Sequence, residues 1–325
     1  MAETLSLFPE SEPEEKEPSL KAELATRLRS LAEQGIYIGS SSWKYEGWLD
    51  SVYTRSRYLT KGRFSSKKFD AECLLEYVEA FPIVCGDFAF YQFPSREFWQ
   101  KLFAQAPKNF LFGFKAPEEL TRPRFPSHPR YGAKAGSVNQ SFLNADMFLT
   151  QFTDLLTPYA EQVAVIMLEF GPLPGKLFAT PAKFAAALAP FLKALPKTFR
   201  FAVEIRNAEL FHPDYLAVLR ENNVAHVFNA WTAMPPLPAQ MELETAFTAD
   251  FTAARALLTP GREYEEARTL FLPFSEVRQP NQQVRDALRQ LLIRAKLRHE
   301  PTYIFINNRI EGFAPGTMLA ITDGL

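Results

Sequence analysis

The sequence predicts a closed (β/α)8 barrel, a single domain preceded by a short helix and an acidic disordered tail. Short apolar runs rich in Val, Ile and Phe alternate from Ile36 onward with amphipathic stretches bounded by Ser, Thr or Pro, the pattern of parallel strands joined by helices. Eight strand candidates fit within residues 36–325, which suits one barrel better than two open sheets. Several runs also stop abruptly at polar residues: Lys115 after Phe112-Gly113-Phe114, Glu169 after Ile166-Met167-Leu168, and Asn307-Asn308-Arg309 after Tyr303-Ile304-Phe305-Ile306. In a barrel such residues gather at the C-terminal face, where ligands bind.

Residues 1–19 come first and carry Glu3, Glu10, Glu12, Glu14, Glu15 and Glu17 with prolines at 9, 13 and 18, too charged a segment to collapse. Leu20, Leu24, Leu28 and Leu31 then recur at helical spacing within 20–35, with Ser19 as N-cap and Gly35 placed to end the helix. The barrel occupies 36–325. Its predicted strands are Ile36–Ser40, Ile83–Phe88, Phe110–Lys115, Val163–Glu169, Arg200–Arg206, Ala225–Asn229, part of Thr248–Leu258, and Thr302–Asn307. Helices are predicted over Ala71–Ala80, Ser95–Ala106, Ala145–Thr157, Thr180–Ala194, Pro213–Asn222 and Gln282–Arg298. Trp231–Phe247, broken by prolines 235, 236 and 238, and Gly261–Pro273 show no clear period. The long connection Glu118–Asn144 reads as a lid or a locally disordered insertion.

With 325 residues, 47% of them hydrophobic and 30 of them Phe, the chain can bury a large aromatic core. A net charge of −1 excludes a globally basic nucleic-acid binder but leaves local patches open. Cys73 and Cys85 sit in apolar surroundings without metal-ligand spacing and read as buried thiols of a reducing compartment. The N-terminus lacks the features of a secretory signal, and no apolar run approaches the roughly 18 residues of a membrane span, so a cytoplasmic protein without membrane contact is expected. The four histidines, His128, His212, His226 and His299, form no metal-binding pair, and no phosphate-cradling glycine motif or nucleophile elbow occurs.

The candidate catalytic residues are Glu204, Lys115 and Glu169. Glu204 and Arg206 lie two apart on a strand and share a face, opposite Val203 and Ile205. Lys115 shares its face with Gly113, so its ammonium enters the mouth above a small residue. Glu169 and Glu204 form a carboxylate pair at adjacent strand ends; such a pair can exchange protons with a substrate, or hold Mg²⁺ weakly through oxygen ligands. Flanking cations would lower both pKa values and disfavour proton donation, and a charge network fixing the barrel mouth is the plainer alternative. Asn307, Asn308, Asn229 and Arg255 are ligand-binding candidates beside Arg206, although Asn308 also suits a turn. No metal ligand set and no cofactor motif is evident.

Seven cations outnumber two carboxylates between Ser42 and Lys68, and five outnumber two between Lys115 and Lys134. Both stretches include loops after strands, so a near-neutral chain carries a basic rim. Trp43, Tyr45, Trp48, Tyr53 and Tyr58 interleave with the first stretch, a mix suited to stacking on bases or sugars, or to pinning the loop onto the barrel.

Five ordered motifs carry a resemblance: Ile38-Gly39-Ser40-Ser41-Ser42-Trp43-Lys44-Tyr45-Glu46-Gly47-Trp48, Phe90-Tyr91-Gln92-Phe93-Pro94-Ser95, Phe112-Gly113-Phe114-Lys115-Ala116-Pro117, Phe201-Ala202-Val203-Glu204-Ile205-Arg206 and Asn307-Asn308. From about residue 36 to 320 the chain resembles the domain of unknown function 72 family. The resemblance implies a TIM-barrel fold and no established activity. Tyr91, within the second motif, joins the ligand-binding candidates. The chain departs from the pattern at the second strand, where Cys85 stands in place of an expected Glu and Asp87 in place of an Asn.

These readings lead first to an intracellular barrel enzyme of hydrolase or lyase type. Its ligand would be a phosphate-bearing anion, either a small molecule or a nucleic-acid end. A glycosidase using Glu169 and Glu204 is the second expectation, for which a carboxyl separation of about 5–5.5 Å would suit retention and about 6.5–9.5 Å inversion. A non-catalytic nucleic-acid or protein binder using the basic aromatic rim is the third.

Overall fold

Apolar runs of five to eight residues are too short for helices but long enough to bury as strands, and here they pair side by side. The computed structural model of the chain describes residues 19–173, 178 and 180–325. Eight parallel strands follow one another around a closed barrel: β1 (Ile36–Ser40), β2 (Ile83–Gly86), β3 (Leu111–Lys115), β4 (Val163–Phe170), β5 (Phe201–Ile205), β6 (Ala225–Ala230), β7 (Thr252–Ala256) and β8 (Thr302–Ile306), with β8 paired back to β1. Register places Glu169 beside Glu204 and Asn229 beside Arg255. The expected barrel is therefore present, with each strand within a few residues of its predicted position.

Strand alternation sorts the core into two layers. Ile83, Cys85, Val165, Met167, Val227 and Phe305 fill the barrel interior. Ile38, Phe112, Phe114, Leu168, Val203 and Ile304 face outward into the helical shell. Gly113 makes this interior possible: a Cβ there would lie 2.5 Å from Cζ of the Phe305 ring, which plugs the barrel beneath Lys115.

Helices of the shell start where a short polar side chain can accept an orphan backbone N–H. Ser19, Ser65, Ser95, Thr180 and Asn281 do so for Leu20–Ala32, Ser66–Ala80, Arg96–Phe103, Pro181–Lys193 and Gln282–Arg298. The first helix stops at Ala32, and Gly35 takes the left-handed turn (φ 80°) leading into β1. Residues 1–18 of the expected disordered tail lie outside the described residues, as does Pro174 of the loop after β4.

Some elements differ from expectation. The second strand ends at Gly86, and Phe88–Tyr91 forms one helical turn instead. The predicted helix 145–157 is interrupted by a π-turn over Leu149–Thr153. In the predicted 248–258 strand, Thr248 instead bridges loops, accepting from the His226 backbone N–H at 2.8 Å and donating to the Val224 carbonyl at 2.7 Å. Single-turn 3-10 helices and a hairpin of Leu59–Thr60 with Arg63–Phe64 shape the segment after β1. The connection Glu118–Asn144 is knit together: the buried Glu118 carboxylate accepts from Arg122, Arg130 and Tyr131, and Asn139 donates to the Glu119 and Arg122 carbonyls.

Replacing Gly113 by Ala overpacks the barrel axis against Phe305, and we expect a loss of about 1–3 kcal/mol of stability, read by urea denaturation.

Candidate functional site

Five charged side chains converge at the C-terminal ends of β3, β4, β5 and β7. Strand periodicity turns Lys115, Glu169, Glu204 and Arg255 inward, and Arg206 follows from the end of β5. Arg255 is the centre of the group. Its Nη1 lies 2.9 Å from Glu169 Oε2 and also donates to Glu204 Oε2. Arg206 bridges the same two carboxylates from above, Nη2 to Glu169 Oε2 at 2.9 Å and Nε to Glu204 Oε1 at 3.0 Å. Lys115 Nζ completes the ring at 3.1 Å from Glu169 Oε2. Three cations thus share two carboxylates, all nearly cut off from solvent except the partly open Arg206.

Burial alone would push the Glu169 carboxyl up, but Lys115, Arg206 and Arg255 outweigh it and hold the group well below the usual carboxylate range. A carboxylate so held cannot donate a proton near neutrality, so Glu169 is not the raised-pKa acid of a glycosidase pair. Because both Glu204 oxygens and Glu169 Oε2 are occupied by cations, Mg²⁺ binding there would have to displace protein charges. No group of three His, Cys, Asp or Glu side chains able to hold a metal ion occurs among the described residues.

Above this charged floor lies a cavity of about 250 Å³ lined by Lys115, Glu169, Arg206, Arg255 and Asn307, together with Ser41, Asp87, Tyr91, Arg122, Arg130, Trp231, Tyr264 and Arg309. Six cations face two carboxylates. Aromatic rings brace four of these cations. Lys115 sits 4.0 Å from the centre of the Phe90 ring, Arg206 3.9 Å from Trp231, Arg309 4.1 Å from Tyr264 and Arg130 5.2 Å from Tyr91. Arg309 also donates to Tyr264 Oη at 2.6 Å and to Asn307 Oδ1 at 3.3 Å, but forms no ion pair among the described residues. Ser41 Oγ, Arg255 Nε and Arg309 Nε are buried without a hydrogen-bond partner, so orphaned polar atoms collect around this cavity.

Other candidates sit elsewhere. Glu204 is fully buried beneath Arg206 and Arg255 and does not line the cavity, because the two guanidiniums cover both its oxygens. Asn308 is buried and accepts from the Ala314 N–H at 2.7 Å, bracing the following helix. Asn229 donates to the carbonyls of Ile205 and Val227 at 3.1 and 3.2 Å, beneath the mouth. Trp48 stacks between Tyr53 and Tyr77 in the core, Trp43 packs edge-on against Phe88, and the half-buried Tyr45 leans on Trp48. These aromatics pin the loop to the barrel and offer no open stacking platform. Much of the basic rim is neutralised as well: Arg55 pairs with Asp50, Arg57 with Glu79, Arg122 and Arg130 with Glu118, and Lys134 with Glu119.

The model of the family described as Protein of unknown function DUF72 matches residues 37–325. The chain belongs to the DUF72 family. Solved DUF72 structures share its fold. A family member from Thermotoga maritima MSB8 is 20% identical with a TM-score of 0.60, over 88% of this chain and 97% of that one. Another, from Enterococcus faecalis V583, is 18% identical with a TM-score of 0.56, over 88% and 94%. None of the curated proteins matches the chain.

At the position where the DUF72 resemblance leads one to expect a Glu, Cys85 lies buried inside the barrel, and burial pushes its thiol up to about 12 despite the nearby Arg255 and Lys115. It stays protonated and adds no negative charge to the floor. Ser41, Arg122, Arg130, Trp231 and Tyr264 complete the cavity but were not singled out by strand-end position, whereas Arg309 stood among the polar residues directly behind the last strand and Asp87 was noted only as a departure at the second.

Arg255→Met leaves Glu204 Oε2 buried without its partner, and we expect a loss of about 3–5 kcal/mol in chemical denaturation. For Glu169, whose folded-state pKa is lowered, the stabilisation is present above the unfolded value of about 4.3 and is lost as pH falls through the folded one. Glu169→Gln should therefore be less stable at pH 7 yet lose less further stability than the parent when melting is followed from pH 5 downward.

Proposed function

We propose that this barrel is an enzyme acting on a small phosphate-bearing ligand held at its C-terminal mouth. The observation that carries the reading is that one cavity gathers six cations, five of them paired with Glu169, Glu204 or Glu118, while Arg309 has no carboxylate of its own among the described residues. An anion bound there would meet guanidinium and ammonium groups already fixed by rings and carboxylates, so little reorganisation accompanies binding. Bidentate geometry favours an oxyanion such as phosphate, to which Arg309 and Arg206 can each present two N–H groups.

In this reading Lys115, Arg206, Arg255 and Arg309 neutralise the oxyanion, Asn307 lies beside it, and Glu169 and Glu204 act by orienting the cations. A cavity of about 250 Å³ is below the range of sites that enclose drug-sized ligands, which favours a compact phosphometabolite over a nucleotide. A nucleic acid could enter only by a phosphorylated end.

Inorganic phosphate titrated into the full chain should raise the melting temperature saturably, by ligand linkage. Arg309→Ala should blunt that shift while melting near the parent temperature without phosphate, because Arg309 is partly exposed and holds no structural ion pair. Melting unmoved by phosphate, or an equal shift in the variant, would count against the proposal.

A further inference from the structure

Asp87 faces the same cavity as six cations and pairs with none of them. Among the described residues its side chain makes no hydrogen bond or ion pair, nor does it cap the turn Phe88–Tyr91 that follows it. Every other acidic group near the mouth is engaged: Glu169 and Glu204 with Arg255 and Arg206, Glu118 with Arg122 and Arg130. The cavity therefore presents an unmatched carboxylate at the end of β2 and an unmatched guanidinium, Arg309, after β8. Strand β1 lies between them in the barrel wall, and the residue just beyond its end is Ser41, 6% exposed, which lines the cavity and whose Oγ is buried without a partner.

A bare anion would satisfy Arg309 but meet repulsion from Asp87. A ligand with a hydrogen-bond donor a few bonds from its anionic end would satisfy both, and Ser41 could bond the same group. The donor is a hydroxyl rather than an ammonium, since the surrounding excess of cations would repel a positive charge. We infer that the ligand is a hydroxylated phosphate ester, of the sugar- or polyol-phosphate class, whose hydroxyl Asp87 and Ser41 bind while the basic groups hold its phosphate. This assignment rests on the anion-binding reading above and narrows it to one substrate class.

Glycerol 3-phosphate and n-propyl phosphate, which share chain length and charge but differ in hydroxyls, test it by calorimetric titration of the full chain. The wild-type protein should prefer glycerol 3-phosphate by about tenfold or more, the range of a hydrogen bond to a charged group. In Asp87→Ala that preference should fall to the small part Ser41 alone supports, while n-propyl phosphate binds as well as before or better, because a repulsive charge has gone. Asp87→Asn, which keeps an acceptor oxygen without the charge, should retain part of the preference. Equal wild-type affinity for the two esters, or equal weakening of both in Asp87→Ala, overturns the assignment while leaving the anion site standing. Failure of both esters to bind the wild-type protein overturns the anion site itself, and the hydroxyl assignment with it.

Discussion

One guanidinium, that of Arg255, organises the upper end of this barrel. Its Nη1 is shared between Glu169 and Glu204, whose strands are adjacent and whose positions face each other in register. Two ionised carboxylates side by side in a nearly dry interior would repel strongly, and each alone would be costly to bury. Arg255 crosses the barrel from β7 to offset that repulsion, and Arg206 and Lys115 complete the neutralisation. Glu169 is then fixed as an anion, and its neighbours are fixed in place as donors. In the proposed reading this arrangement suits the mouth to negative charge, with the paired carboxylates serving as struts.

The aromatic content of the chain has a related role. The rings of Phe90, Tyr91, Trp231 and Tyr264 back the cations of the mouth, while Trp43, Trp48, Tyr53 and Tyr58 are spent on the core and on securing the loop after β1. Both sets of rings reduce motion, the first in long flexible cations and the second in a long connection. A site of preordered donors results.

The barrel was legible in the sequence because most strands are apolar runs with a polar change near the C-terminal end; β6, with His226, and β7, with Arg255 among alanines, are the weakest of them. That same change of character marked Lys115, Glu169, Glu204 and Arg206, and parity along the strand gave their common direction. What parity could not convey was depth. Glu204 and Arg206 share a face, yet two guanidiniums cover Glu204 while Arg206 reaches the cavity. Loop residues were harder still. Arg122, Arg130, Trp231 and Tyr264 arrive through turns whose paths depend on tertiary contacts such as the Glu118 cluster, and no local period announces them. Conversely, the clustered aromatics and cations after β1 suggested an open binding rim, but packing absorbs the aromatics and local ion pairs take up Arg55 and Arg57.

The ring of Phe305 beneath Gly113, with Cys85 and Met167 around it, closes the central axis below the charged floor. A separate cleft of about 580 Å³ at the other end of the strands, lined by Tyr37, Phe251 and Tyr303, is thereby cut off from the mouth. A ligand held at the mouth would consequently have to leave by the doorway through which it came.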